Sequence, residues 1–369
     1  MRFDTELVVN LGHLKSNIEL LRKKYLRDQQ IIFMIKANAY GHGIEEIASY
    51  TNKFCNIEHF GVASLAEAIY LRERLPSHHF NLLVFSELNL NNSEQAKNYE
   101  NLNIVPVISS MPDLENLLEN YPNLPLVLKF NTGMNRLGLE EDILPEIKEL
   151  LLKYKRKDIH HLMTHFSSSY FKIKQGDRTH QQYEAFQRIK SFFRHEGFSI
   201  KETSVANSGA IEQKFGLDET HLRPGLMLYG PRSVKEACWE GKIISSLKSK
   251  VIQLREIQKG TPVGYGGHIS HATGIVAYLP VGYGDGFLTH YSGLDLPVGK
   301  NRGRILGRVN MDLTQLFFED PPVNLTQGSQ VSLWDETQSS IERICKHAKT
   351  IPYQIFTSIT GRVSRRYYT

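Results

Sequence analysis

The chain has only three cysteines, Cys55, Cys238 and Cys345, far apart and odd in number, so it offers neither a disulfide framework nor a zinc-type spacing. They are expected to be reduced thiols. No clean apolar run approaches the roughly 18 residues that a membrane span requires. The best of them, residues 31–35 and 275–279, are strand-sized. The opening Met1-Arg2-Phe3-Asp4-Thr5-Glu6 is charged and has no secretory apolar stretch, so a cytoplasmic location with no membrane partner is expected. A dominant charge is missing as well. The formal balance is +5, and bases alternate with acids, as in Glu146-Ile147-Lys148-Glu149. That mixture reads as solvated helix faces and implies no nucleic-acid partner. The basic stretch 362–366 reads as a solvated or interface strand.

What is present is an ordinary globular composition, 41% hydrophobic and 22% charged, over 369 residues, enough for two domains. Short β-branched or apolar runs recur at 31–35, 59–63, 82–85, 104–108, 126–130, 159–164, 203–206 and 222–228. Between them apolar residues recur every three to four positions, as in Leu65-Ala66-Glu67-Ala68-Ile69-Tyr70-Leu71. Eight alternations predict an α/β fold, a (β/α)8 TIM-like barrel, with functional residues where strands end and loops begin. After Pro231 the rhythm changes. Strand-like runs at 247–254, 274–279, 303–309, 313–318 and 330–333, with one helix at 341–348, predict a mostly β second domain. The expected division is a barrel over 1–237 and a β domain over 238–369.

Lys36 follows the first barrel run in Ile35-Lys36-Ala37-Asn38-Ala39-Tyr40-Gly41-His42-Gly43. Alone, it reads as a solvated lysine. A desolvated lysine at a barrel mouth can instead form a covalent link with a carbonyl cofactor, because burial disfavours its charged form.

This segment resembles the pyridoxal-phosphate signature of the alanine racemases, and similar stretches recur in that family's order along almost the whole chain. The resemblance implies pyridoxal 5'-phosphate as cofactor and L- and D-alanine as substrates. It implies that Lys36 carries the cofactor and acts as one of two opposed acid/base groups, and that Tyr40 binds the phosphate. Lys129-Phe130-Asn131-Thr132-Gly133-Met134-Asn135-Arg136 is similar to the segment whose arginine meets the cofactor's phenolic oxygen and the substrate carboxylate, giving Arg136 that role. The lysine there is often carbamylated in relatives, and Lys129 is expected to be so. Asn131 stands where the family usually has Asp, which removes one negative charge.

Met163-Thr164-His165-Phe166 matches the family's histidine motif, and His165 is expected to link the catalytic tyrosine to the arginine facing the cofactor ring. The resemblance places Arg223 against the pyridine nitrogen and Ser208, with the backbone of Gly225 and Leu226, around the phosphate. Arg223 would disfavour ring protonation, giving a weaker electron sink that suits racemisation. Ser204 replaces a frequent histidine and is expected to matter little.

Pro-Val-Gly-Tyr-Gly occurs twice, at 262–266 and 280–284, and spacing does not choose between the copies. The resemblance assigns the opposing base to Tyr265. Tyr283 falls in a segment near the entrance, Met311 would offer its backbone N–H to the substrate carboxylate beside Asp312, and Tyr353 would complete the phosphate site. Asn310 replaces a frequent cysteine. The implied assembly is a head-to-tail homodimer with shared sites, and the implied purpose is D-alanine for peptidoglycan. A broad-spectrum amino-acid racemase and a non-catalytic pyridoxal-phosphate carrier are the alternatives. A decarboxylase fits poorly, because Arg223 opposes the strong electron sink that decarboxylation favours.

Overall fold

The computed structural model describes residues 3–369. A first strand, β1 (Thr5–Asn10), precedes eight parallel strands that close into a barrel. These are β2 (Gln30–Met34), β3 (His59–Ser64), β4 (Asn81–Glu87) and β5 (Ile104–Ile108). The circle is completed by β6 (Val127–Lys129), β7 (Asp158–Met163), β8 (Ser199–Asn207) and β9 (His221–Arg223). All eight expected runs have their strand. The last is shorter than the run 222–228, because Pro224 has no N–H for the ladder and residues Leu226–Tyr229 wind into a 3-10 turn.

Helices between the strands turn their apolar faces inward. Arg178–His195 starts at Asp177, whose side chain accepts from the His180 N–H, and it buries Phe186, Ile189 and Phe193 against the barrel. Each such side chain contributes roughly 1.5–3 kcal/mol by leaving water. Inside the barrel the filling is thinner, with Ile32, Leu83, Val105, Val107, Val127 and Met163 in one cluster.

The second domain is built from two sheets. In the first, β10 (Ser245–Lys250) and β18 (Gln330–Trp334) join β1 and β19 (Ser364–Tyr368) in the order β18-β10-β1-β19. The opening strand of the sequence therefore pairs with the β domain, not with the barrel that the sequence division 1–237 assigned it to.

The second sheet holds β11 (Gln253–Ile257), β14 (Gly274–Leu279), β15 (Asp295–Val298), β16 (Asn301–Ile305) and β17 (Thr314–Phe318). The run 247–254 is thus two strands in different sheets, and the chain changes sheet at Val251 and Ile252. A hairpin of β12 (Pro262–Val263) and β13 (His268–Ile269) projects beside them, its tip turned by Gly264, Gly266 and Gly267 at positive φ.

Candidate active site

At the C-terminal ends of the barrel strands lies a cavity of about 330 Å³. Lys36, Tyr40, Lys129, Arg136, His165, Ser208, Arg223, Gly225 and Tyr353 all line it. The sequence placed these residues together from positions spread over more than 300 places, and barrel closure brings them there.

Lys36 opens a tight turn in which Ala37, Asn38, Ala39 and Tyr40 all have φ between 51° and 55°. Left-handed backbone in non-glycine residues costs about 1–3 kcal/mol each, so it persists only where neighbours hold it. Here the Glu67 carboxylate accepts from Ala37 N at 2.6 Å and from Ala63 N at 2.8 Å, and Asn38 Oδ1 accepts from Ile44 N at 2.9 Å. Glu67 was not legible as a site residue, since in sequence it is only the third residue of an amphipathic helix. Gly41 is required at the turn's end: its φ is +83°, and a Cβ there would lie 2.1 Å from the Phe356 carbonyl oxygen.

Burial, then the Arg136 charge, lowers the Lys36 pKa, against a smaller raising effect of Glu67. Lys129 is buried, and burial together with Arg136, Arg223 and Lys36 brings it down to about 8. His165 is held well below the usual imidazole range by burial and by the same four cations. Two lysines and two arginines thus face one small cavity, whose lining includes no carboxylate. That arrangement calls for an anion of more than one charge.

Arg136 is exposed and has no hydrogen-bond or ion-pair partner among the described residues. Its loop is organised by Asn131, whose Oδ1 accepts from Gly133 N and Asn135 N. The Asn131 amide also donates to both Glu140 carboxylate oxygens, at 2.8 and 3.1 Å. An aspartate could not make those two bonds, so the negative charge absent from Asn131 is carried by Glu140.

Arg223 is buried, donating through Nη1 to Ser204 Oγ and through Nη2 to the Thr164 and Val205 carbonyls. Ser204 Oγ lies 2.7 Å from His161 Nε2, and His161 Nδ1 lies 3.0 Å from Glu202 Oε2. A carboxylate only accepts, so Nδ1 donates, Nε2 accepts, and the serine hydroxyl donates to it. One directed chain runs from Arg223 to Glu202 through the barrel. Ser204, where the family often has histidine, is therefore an inner link of this chain, between Arg223 and His161. His165 makes no hydrogen bond to Arg223 within the chain, so the expected path from tyrosine to arginine is not formed there.

Beside Arg223, Ser208 Oγ accepts from Gly225 N at 3.0 Å and Met227 N at 3.4 Å. The Tyr40 ring stacks on Tyr229 at 4.7 Å, and Tyr353 stands 5.6 Å from Tyr40. A Cβ on Gly225 would lie 2.5 Å from the Tyr40 hydroxyl, so this corner is a close-fitting cradle of hydroxyl and backbone donors. Leu226 borders an adjoining cavity with Ser208 and Tyr353. These donors suit a phosphate, and a lysine of lowered pKa beside them suits a carbonyl carbon.

The alanine racemase N-terminal domain model matches residues 9–233, and the alanine racemase C-terminal domain model matches residues 244–367. The chain belongs to the alanine racemase family. It is accordingly an isomerase of alanine that depends on pyridoxal phosphate, and the donor set above fits that cofactor. The alanine racemase of Hahella chejuensis is 33% identical, covering 98% of this chain and 96% of its own. That of Thermodesulfovibrio yellowstonii is 31% identical over 97% and 96%. Among solved structures, the biosynthetic alanine racemase of Pseudomonas aeruginosa shares 28% identity with a TM-score of 0.84, each chain fully covered. The Clostridium difficile enzyme gives 0.88 at 25% identity, covering 100% of this chain and 96% of its own.

Not every residue expected at the racemase site lines the cavity within one chain. Tyr265, at the tip of the β12–β13 hairpin, is 70% exposed, Met311 is 51% exposed and Tyr283 43%. Asp312 pairs with Arg362, which also reaches the buried Asp285 at 3.1 Å, so this rim of the β domain is fixed in place. Tyr353 alone of the second-domain residues enters the barrel cavity, because its helix, Pro352–Thr357, packs on the Lys36 turn. Among the described residues, no helix is long and apolar enough to cross a membrane.

Proposed function

We propose that Lys36 and Tyr265 serve opposite faces of alanine, Lys36 from one chain and Tyr265 from a second copy set head to tail against it. Bound pyridoxal phosphate supplies the electron sink that makes the alanine Cα–H acidic. Tyr40, Tyr353, Ser208 and the backbone at Gly225 and Leu226 would hold its phosphate, Lys36 its carbonyl carbon, and Arg223 its ring nitrogen. Arg136 and the Met311 N–H orient the substrate carboxylate, so that Cα–H points at one base or the other. Tyr265 takes the proton from L-alanine and Lys36 from D-alanine, with the opposite group returning one. Lys129, as its carbamate, holds Arg136 in line. Tyr283 and Asp312 shape the entrance. The cytoplasm is the proposed location and D-alanine for peptidoglycan the proposed purpose.

The observation that carries this reading is the cavity faced by Lys36, Arg136 and Arg223 with no carboxylate in its lining, matched to a phosphate and a substrate carboxylate. Support for sharing comes from the exposure of Tyr265 and Met311 in the single chain. A mixing experiment tests it. Lys36→Ala and Tyr265→Phe chains, each inactive alone, are unfolded together, refolded and assayed for α-deuterium exchange and loss of rotation with L-alanine. In a shared-site dimer, each mixed pair contains one intact site, and statistical mixing returns about a quarter of wild-type activity. If each site lies within one chain, the mixture stays inactive.

A further inference from the structure

Away from the catalytic mouth, towards the N-terminal end of the barrel, sits a second polar cluster. His161 on β7, Glu202 on β8 and His221 at the start of β9 place ligand-type atoms all within 4.8 Å of one another. Barrel pairing makes them neighbours, since His161 registers with Glu202 and Ser204 with His221. Glu202 Oε2 lies 3.0 Å from His161 Nδ1 and 3.7 Å from His221 Nε2. His160 Nε2 approaches the other carboxylate oxygen at 3.7 Å, and the His59 ring meets His221 edge-on at 5.0 Å.

His221 is the informative member. Its Nδ1 lies 2.9 Å from Thr220 Oγ1, whose own proton goes to the Thr203 carbonyl, so Thr220 accepts and the imidazole proton sits on Nδ1. Nε2 is left as a lone pair. It is buried and has no hydrogen-bond partner, yet it faces the Glu202 carboxylate. A buried imidazole lone pair facing a partly exposed carboxylate oxygen repels it unless a cation lies between them.

We propose that His161 Nδ1, Glu202 Oε2 and His221 Nε2 bind a divalent transition-metal ion of zinc type. Neutral imidazoles and one carboxylate are the donor set that such ions prefer. Tetrahedral bonds of about 2.0–2.1 Å place ligand atoms roughly 3.4 Å apart, and the two distances to Glu202 bracket that length. Glu202, with 24% of its side chain exposed, gives a solvent path and leaves a fourth position for water. Binding shifts the His161 proton from Nδ1 to Nε2, so occupancy reverses the hydrogen bond to Ser204 and is felt at Arg223.

The test is calorimetric titration of zinc chloride into the untagged full-length holoenzyme after chelator treatment and desalting. One ion per chain is expected, with Glu202→Gln and His221→Gln each weakening it at least about tenfold. No binding by the wild type, or unchanged binding in both variants, overturns the proposal. Because either variant could misfold, anomalous scattering at the zinc edge from wild-type crystals decides independently. A peak among the three side chains supports the site, and its absence there overturns it.

Discussion

The Arg223 guanidinium donates to the Ser204 hydroxyl inside the barrel, and that one contact ties the cavity to the polar chain behind it. Ser204→Ala leaves both Arg223 Nη1 and His161 Nε2 without this partner. Losing a buried hydrogen bond to a charged group costs about 1.5–3 kcal/mol, so urea unfolding should show a loss of that size. Rescue by Ser204→Thr, which keeps the hydroxyl, separates the bond from the packing.

Tyr265→Phe should be felt in direction and not in stability. Its ring is 70% exposed, so unfolding free energy should change by less than about 0.5 kcal/mol. Loss of an acid/base group costs roughly 10²–10⁴-fold, and proton removal from L-alanine should fall by that factor. Exchange of the D-alanine α-proton in deuterated water should survive better, because Lys36 remains. Equal loss in both directions would contradict the assignment of faces.

Lys129 sets a pH dependence. Its folded value of about 8 lies below its ordinary 10.5, so between those pH values the unfolded chain binds the extra proton. Stability of the cofactor-free, carbon-dioxide-depleted chain should therefore rise with pH across that window, by roughly 1.4 kcal/mol per unit at most. Below about pH 8 both states are protonated and the penalty is fully present. Lys129→Met should flatten the rise, as measured by denaturant melts at several pH values.

Glu67 supports the strained turn that presents Lys36. Glu67→Ala removes the acceptor for two backbone N–H groups, Ala37 and Ala63, and should lower stability by about 2–4 kcal/mol. It should also slow the reaction of Lys36 with added pyridoxal phosphate, followed by the change in visible absorbance. Glu67→Gln, retaining one carbonyl acceptor, should fall between the two.

Gly225→Ala tests the cradle. The new methyl would press on the Tyr40 hydroxyl, from which a Cβ would be only 2.5 Å away, so pyridoxal phosphate retention should weaken at least about tenfold, read by equilibrium dialysis. Global stability should change less than in the Glu67 variant.

The barrel was legible because strand runs and helical periodicity alternate eight times, a pattern set by local side-chain spacing. The cavity residues were legible through family likeness, since nothing in the spacing of Lys36, Arg136 and Arg223 brings them together before the barrel closes. What escaped was what depends on closure itself. Ser204 reads as a small polar residue until β7, β8 and β9 lie side by side and it meets both His161 and Arg223. Glu67 reads as helix surface until the turn after β2 folds over it. The opening strand escaped because its partners, β10 and β19, lie hundreds of residues ahead of it. The break at 251–252 escaped because a change of sheet leaves no mark on an alternating pattern.

That opening strand has a consequence for the order of events during synthesis. Glu6 pairs with Ser364 in the same sheet, so β1 emerges from the ribosome and waits for a neighbour made several hundred residues later. The barrel strands lie wholly between them and can assemble while translation continues. The β1 edge stays open until then, and nascent chains stalled before β19 should be the species most prone to pair wrongly with one another.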